Sequence, residues 1–543
     1  MKGLYVFFLI MLIFFINKAS ALYLLAVTNE TGLKIEFNVY LVENDDHKTD
    51  VFFSSQSFIS PDTQFSINLA KDVVCSLFPK KCDNYDFLIK IHSSSPLLTG
   101  PSGGAAFATG MLMALFNLPD KEVGITGTIN PGGIIGPVGG VDKKVESALD
   151  LNKVIIPLGQ KNYRDPFTNK TKNLNYQNVY EAGTIFDILK IVWGLDIKFN
   201  FSNLTVPNWY KENMKEIASS LCSKVNKLVD DSLDYYSQAS YCFRELNEKL
   251  FRDYSNLDKE KLLEKAKELE NNLEILEKKI KQRIKNLNGL NELQLYMIIY
   301  KRINDAKDNL ARIKNITEQK ELVRLVAYSE ARIISVEEWS KFLNNLPKGN
   351  IIDFNKLETL CKKNYEFVKH YQNQILGLLD SSLFLSFFRQ IELNIKKLEN
   401  YLDKDPILCI AYAKEIKSSL DYLSVILYMD ANLINTFFNN TNEITEFYLK
   451  QNQEFPIMAY SYWKYANEIV KKEKDYYLAI NYNYLAMNLA TMIYEISDDL
   501  LSNKEKLIIV EKKKKDYKTF IVYLFLVLVI IYYLIILKNV FKV

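Results

Sequence analysis

The sequence predicts an α/β (α+β) domain, then an all-α helical region, then a C-terminal transmembrane helix. Three observations carry this. Of the 19 glycines in 543 residues, 15 fall within residues 22–197, among alternating β-rich and helical runs. From about Val206 to Val510 glycine nearly vanishes and Leu, Lys, Glu, Asn and Tyr dominate, the composition of continuous helix. Thr519 to Leu537 then runs 19 residues without a charge, enough to cross a bilayer as a helix. The overall balance excludes other classes. Lys+Arg number 68 and Asp+Glu 65, a net charge of +3, which argues against a nucleic-acid partner. A hydrophobic content of 48% excludes disorder as the main state. With 3 histidines in the chain, a His-based metal site or a Ser-His-Asp triad is nearly excluded by supply, and no metal or cofactor is expected.

The chain starts with Lys2, an apolar run from Leu4 to Ile16 and Ala19-Ser20-Ala21, the pattern of a secretory signal peptide over residues 1–21. In residues 22–197, Leu22–Val27 and Leu33–Val42 read as strands around the turn Asn29 to Gly32. Phe65–Phe78 reads as a helix, Phe87–His92 as a strand and Gly103–Phe116 as a small-residue helix. Val123–Ile129 and Lys153–Ile156 read as strands, with a helix over Lys143–Leu149 between them. Residues 198–510 form the helical bundle or coiled-coil region. Leu262, Ala266, Leu269, Leu273, Leu276, Ile280, Arg283 and Leu287 follow a heptad seam with one Arg flaw, which fits a coiled-coil arm or, better, a bundle helix. Ala459–Ala490 reads as a helical hairpin.

The two ends disagree about orientation. Lys512 to Lys515 before the apolar span would lie in the cytoplasm by the positive-inside rule. The signal peptide exports everything up to the span, and six N-x-S/T sequons at Asn29, Asn169, Asn200, Asn203, Asn315 and Asn439 support it weakly. The expectation is a single-pass protein of the cell membrane with its bulk extracytoplasmic. The six cysteines show no zinc spacing. They form either three disulfides, for which sequential pairing is simplest, or six buried thiols.

The residues that could do chemistry are Gly100-Pro101-Ser102-Gly103-Gly104 before a helix, Thr126-Gly127-Thr128, and Gly136-Pro137-Val138-Gly139-Gly140-Val141-Asp142-Lys143-Lys144. A serine among glycines at a helix start exposes its Oγ, and nearby backbone N–H groups face any developing anion. Serine needs a base. With histidine scarce the candidate is a lysine, which can serve only if its pKa falls. Lys144 sits early in the helix expected after the second glycine turn.

These stretches resemble the proteolytic domain of Lon-type serine peptidases, which use a Ser-Lys dyad. The family pattern is G-P-S-A-G, T-G-x-(I/L), a G-G-(L/V)-x-x-K turn and a strand ending in I-P. The resemblance covers roughly Phe87 to Pro157, with weaker support over 22–197. It implies Ser102 as nucleophile and Lys144 as general base. It also implies Gly100, Pro101 and Gly103 as oxyanion and active-site support, Thr126 beside the dyad, and Ile155-Ile156-Pro157 as the closing strand. The separation of 42 residues between Ser102 and Lys144 is close to the family's. Three positions depart from the pattern: Gly103 replaces an alanine, and Thr99 and Thr128 stand where acidic residues are common.

No G-x-x-x-x-G-K-[ST] stretch occurs in this sequence. The resemblance is therefore to exported, membrane-anchored, archaeal-like members without the ATPase module. It implies an ATP-independent serine endopeptidase acting on extracytoplasmic or membrane-associated proteins or peptides, and a homo-oligomer. The helical region is expected to approach the active-site mouth and limit entry. Two other readings stay open: a small-metabolite kinase of related fold, with the glycine turn as a phosphate cradle, and an inactive membrane-anchored helical scaffold.

Overall fold

The computed structural model describes residues 22–28, 31–45, 48–164, 171–199, 204–284, 287–349, 351–376, 385–426, 430–452, 454–496 and 507–511. The N-terminal part builds β1 (Leu22–Val27), β2 (Gly32–Glu43), β3 (Val51–Ser55), β4 (Phe58–Ile59), α1 (Pro61–Leu77) and α2 (Pro79–Cys82). β5 (Tyr85–His92), β6 (Leu97–Leu98) and a 3-10 turn over Pro101–Gly103 lead into α3 (Gly104–Leu115). β7 (Val123–Ile125) and the hairpin β8 (Thr128–Asn130) and β9 (Ile134–Gly136) precede α4 (Val141–Glu146) and β10 (Lys153–Pro157). β11 (Asn162–Arg164), β12 (Thr171–Asn173), β13 (Val179–Ala182) and α5 (Ile185–Trp193) complete the domain.

Seven strands form one mixed sheet in the order β13-β10-β7-β1-β2-β5-β3. β13, β10, β7 and β1 run parallel, and β2 joins β1 and β5 antiparallel. Alternation along the strands splits the core into two layers. Leu24, Ile125 and Ile155 face α1, α3 and α5, whereas Leu25, Val154 and Ile156 face Val141 and Val145 of α4. The expected strand over Val123–Ile129 is broken at Thr126-Gly127, where the chain leaves the sheet to form the β8–β9 hairpin. The expected helix over Lys143–Leu149 instead spans Val141–Glu146, because Gly140 in the left-handed conformation (φ 61°) starts it two residues early.

β14 (Leu195–Phe199) leads to the helical region, which holds α6 (Asn208–Ser223), α7 (Tyr235–Tyr254) and α8 (Lys259–Lys281). β15 (Leu287–Asn288), α9 (Leu290–Ile313), α10 (Gln319–Phe342) and β16 (Ile351–Ile352) follow. Then come α11 (Phe354–Leu376), α12 (Leu385–Tyr401), α13 (Pro406–Ile426), α14 (Ile434–Gln451), α15 (Ile457–Glu473), α16 (Tyr476–Ala490) and α17 (Met492–Ile496). The heptad seam is a bundle helix. Leu262, Ala266, Leu269, Leu273 and Ile280 are buried, α8 packs on α9 and α10, and Arg283 and Leu287 lie beyond its end. Ala459–Ala490 falls in the hairpin of α15 and α16, turned by Lys474 at φ 59°. Helix does not run through Val510. The β-branched run before it makes β17 (Leu507–Glu511), which pairs antiparallel with β14.

The cysteines form three sequential disulfides, Cys75–Cys82, Cys222–Cys242 and Cys361–Cys409. The helical region and the sheet domain share one apolar core. Phe65 of α1 packs on Phe367 of α11 at 4.9 Å between centroids, and Ser76 bonds Tyr448 of α14 at 2.7 Å. The expected signal peptide and the expected span Thr519–Leu537 lie outside the described residues. Among the described residues no helix is long and apolar enough to cross a membrane.

Candidate active site

The turn that carries Ser102 is held from α1. Pro61 and Asp62 open that helix, and the Asp62 carboxylate accepts the backbone N–H of Gly100 at 2.7 Å and the Thr99 hydroxyl at 3.2 Å. Thr63 Oγ1 donates to the Gly100 carbonyl at 3.1 Å, and Ser66 Oγ donates to the Pro101 carbonyl at 3.1 Å. Gly100 has φ 99°, a conformation that favours glycine. Ser102 therefore sits at the start of a 3-10 turn running into α3, where the first N–H groups have no intrahelical acceptor.

Thr126 and Gly127 grip the same turn from the sheet. The Ser102 carbonyl accepts the Gly127 N–H at 2.9 Å and the Thr126 hydroxyl at 3.3 Å. Gly127 returns its carbonyl to the N–H of Ala105 at 3.0 Å, and Thr126 N–H reaches the Ile155 carbonyl at 3.0 Å. A Cβ on Gly127 would lie 2.5 Å from Ile135 Cγ2, so only glycine allows this approach. At Gly103, where the family carries alanine, a Cβ would meet the Phe107 ring at 3.0 Å. The Phe107 ring thus fills the space that an alanine methyl would need.

Lys144 is placed by the periodicity of α4. Val141, Lys144 and Val145 lie on one face, the buried one, while Asp142 turns away to bond Lys172 at 2.8 Å. Lys144 is 2% exposed. Among the described residues its Nζ has no carboxylate and no hydrogen-bond partner, and burial alone pulls its pKa from 10.5 to about 7. Thr126 accordingly acts on the backbone of Ser102 and not on the lysine.

The two candidate stretches follow β6 and β9 but lie against the carboxyl ends of parallel strands. The Ser102 turn is bonded to the end of β7, and Gly140, which starts α4, lies against Val27 at the end of β1. A crevice beyond the carboxyl ends of parallel strands is the usual ligand position in α/β sheets. Sequence reasoning missed Asp62, Thr63 and Ser66. Ser60-Pro61-Asp62 is a helix-start signal that would have placed Asp62 in the first turn of α1. Among the described residues no cluster of potential metal ligands occurs.

A half-buried serine, a neutralisable buried lysine and a glycine-lined turn at the sheet's carboxyl edge are the groups that nucleophilic hydrolysis needs. More narrowly, residues 66–192 match the Lon protease (S16) C-terminal proteolytic domain. The chain is 35% identical over 115 residues to the archaeal Lon protease of Thermoplasma acidophilum, covering 21% of this chain and 17% of that protein. It is 31% identical over 110 residues to the archaeal Lon protease of Thermococcus kodakarensis, 20% of this chain and 17% of that protein. It is 39% identical over 80 residues to Lon protease 2 of Bacillus subtilis, 14% of each chain. Each of these likenesses covers about a fifth of this chain or less, and the chain spans about one-sixth of the length of these two archaeal relatives.

Proposed function

We propose that this chain is a serine endopeptidase in which Ser102 and Lys144 act as a dyad. The observation that carries the reading is Lys144: a buried amine with no counter-ion among the described residues, at the carboxyl side of the sheet where the Ser102 turn is held. As the neutral amine, Lys144 takes the Ser102 hydroxyl proton while Oγ attacks the peptide carbonyl. It then returns that proton to the leaving amine. Backbone N–H groups at Ser102 and Gly103 hold the oxyanion, in a turn that Asp62, Thr63 and Thr126 fix before substrate arrives. Water hydrolyses the acyl-enzyme by the same proton path.

The reaction runs without ATP, metal or cofactor. Residues 1–21 export the chain, residues 519–537 anchor it, and its bulk acts on extracytoplasmic or membrane-associated proteins. The helical region limits entry. In support, Tyr371 and Ser424 bond Asn130 on the hairpin directly after Thr126-Gly127, and a Cβ on Gly132 of that hairpin would collide with Ile444. The chain forms a homo-oligomer.

The test is incubation of the purified full chain with denatured and membrane proteins without ATP, wild type against Ser102→Ala. Cleavage by the wild type alone supports the reading; equal cleavage by both, or cleavage that needs ATP, rejects it. External protease on intact cells tests the topology, and full protection would place the bulk inside.

A further inference from the structure

The helical region encloses a cavity of about 390 Å³ between α7, α9, α10, α13, α15 and α16, apart from the Ser102 site. That size suits a small ligand or a chain end. Its wall is aromatic. Tyr236 stands 6.0 Å from Trp339 and 5.8 Å from Tyr462 between centroids, and Tyr462 stacks on Tyr482 at 5.7 Å.

Its charges do not cancel. Lys301 pairs with Glu415, Arg332 with Asp305 at 3.5 Å, and Arg244 with Glu473 at 3.7 Å. Arg302 is left over. Its guanidinium lies over Trp339, 4.6 Å from the ring centroid, and its buried Nη1 has no hydrogen-bond partner among the described residues. Burial pulls its pKa down to about 10. Asp305 acts on Arg302 electrostatically but pairs with Arg332, so the half-buried Arg302 has no ion pair of its own among the described residues, and a partly desolvated cation of this kind gains by taking up an anion.

We propose that this cavity is a binding site for a monoanionic carboxylate on an aromatic or apolar body, with Arg302 as its counter-ion. One unpaired cation matches one negative charge, whereas a phosphate monoester carries nearly two at neutral pH. The planar guanidinium fork fits a carboxylate in two parallel hydrogen bonds. The tyrosine wall takes the body of the ligand. The carboxylate could belong to a free small acid or to a peptide C-terminus, and the two differ in how they fill the cavity.

The test uses the purified full chain and follows tryptophan fluorescence and thermal midpoint. The probes are phenylacetate, phenylacetamide, phenyl phosphate, and the tripeptide Ala-Ala-Phe as free acid and as amide. Each acid should bind at least about tenfold more tightly than its amide, and than phenyl phosphate. The tighter of phenylacetate and the tripeptide acid identifies the source. Arg302→Met should weaken the acid at least about tenfold while raising the midpoint of the ligand-free protein, since it removes a half-buried charge without an ion pair. Should that variant fail to fold, Ser419→Trp, which fills the cavity from α13 without touching the arginine, should block the same binding. Equal affinity for acid and amide, unchanged acid affinity in both variants, or no binding of any carboxylate up to about 10 mM overturns the proposal.

Discussion

The Asp62 carboxylate, on the first turn of α1, accepts the backbone N–H of Gly100 at 2.7 Å and so ties the turn before Ser102 to another element. The same carboxylate receives the hydroxyls of Thr99 and Ser60. Gly100 leads directly into the turn that aims Ser102. Asp62→Ala should therefore leave the fold intact and lower peptidase turnover about 10- to 100-fold, the loss of one or two charge-assisted hydrogen bonds. Circular dichroism checks the fold and peptide cleavage the rate. Unchanged turnover would show that the turn holds its shape without the carboxylate.

Substitutions in the dyad should not add. Ser102→Ala and Lys144→Ala should each abolish cleavage, and the double variant should be no worse than either, because the two groups act as one unit. Lys144→Arg should fail as well, since guanidinium does not give up its proton near neutral pH. A serine-directed fluorophosphonate should label the wild type and neither lysine variant. Labelling that survives in Lys144→Arg would reassign the base.

The glycine turns and the short helix of the candidate site were legible because each needs a residue type that few others supply. Gly100 needs a positive φ, Gly127 allows a close approach, and Lys144 falls on a fixed helical phase. The strand Leu22–Val27 was legible end to end from its apolar run. What escaped was set by contacts distant in sequence. Asp62 reaches Gly100 across 38 residues, and the Tyr371–Asn130 contact spans 241. The edge strand Val51–Ser55 has one sheet partner, β5, and a pattern that is mostly exposed, so alternation gave no signal. β17 was hidden inside a helical composition because only its pairing with β14 selects the strand.

Lys144 should set two pH dependences with the same origin. Its amine is active when neutral, so kcat/KM should rise through about pH 7 and level above it, far below the 10.5 of a free lysine. Stability follows from linkage. The folded pKa is depressed, so the unfolded chain binds the extra proton between about pH 7 and 10.5, and stability rises with pH across that window. Lys144→Met removes the cost of burying a cation. It should stabilise the protein by several kcal/mol at pH 6, on the order set by about three pKa units, and by little near pH 10. Urea melts at the two pH values read this directly. A wild-type rate profile that rises only above pH 9 would mean that Lys144 is not desolvated.

The hairpin after Thr126-Gly127 is bonded to the helical region through Asn130. This side chain is 1% exposed, accepts the Tyr371 hydroxyl at 3.2 Å and the Ser424 hydroxyl, and donates to the Ile134 carbonyl at 3.3 Å. Ser424 keeps a second acceptor in the Asp421 carbonyl at 2.7 Å, and the Tyr371 hydroxyl keeps Ser424 and the Asp421 carboxylate beside it, so neither is stranded when Asn130 is cut back. Asn130→Ala should destabilise by about 1–3 kcal/mol and Tyr371→Phe by about 1 kcal/mol. The double variant should fall short of their sum by more than about 0.5 kcal/mol, since the two changes remove one shared bond. Because β8 follows Thr126-Gly127 without a break, Asn130→Ala should also slow fluorophosphonate labelling of Ser102 in protein that remains folded. Additive stabilities together with unchanged labelling would show that the helical region rests on the hairpin without positioning it.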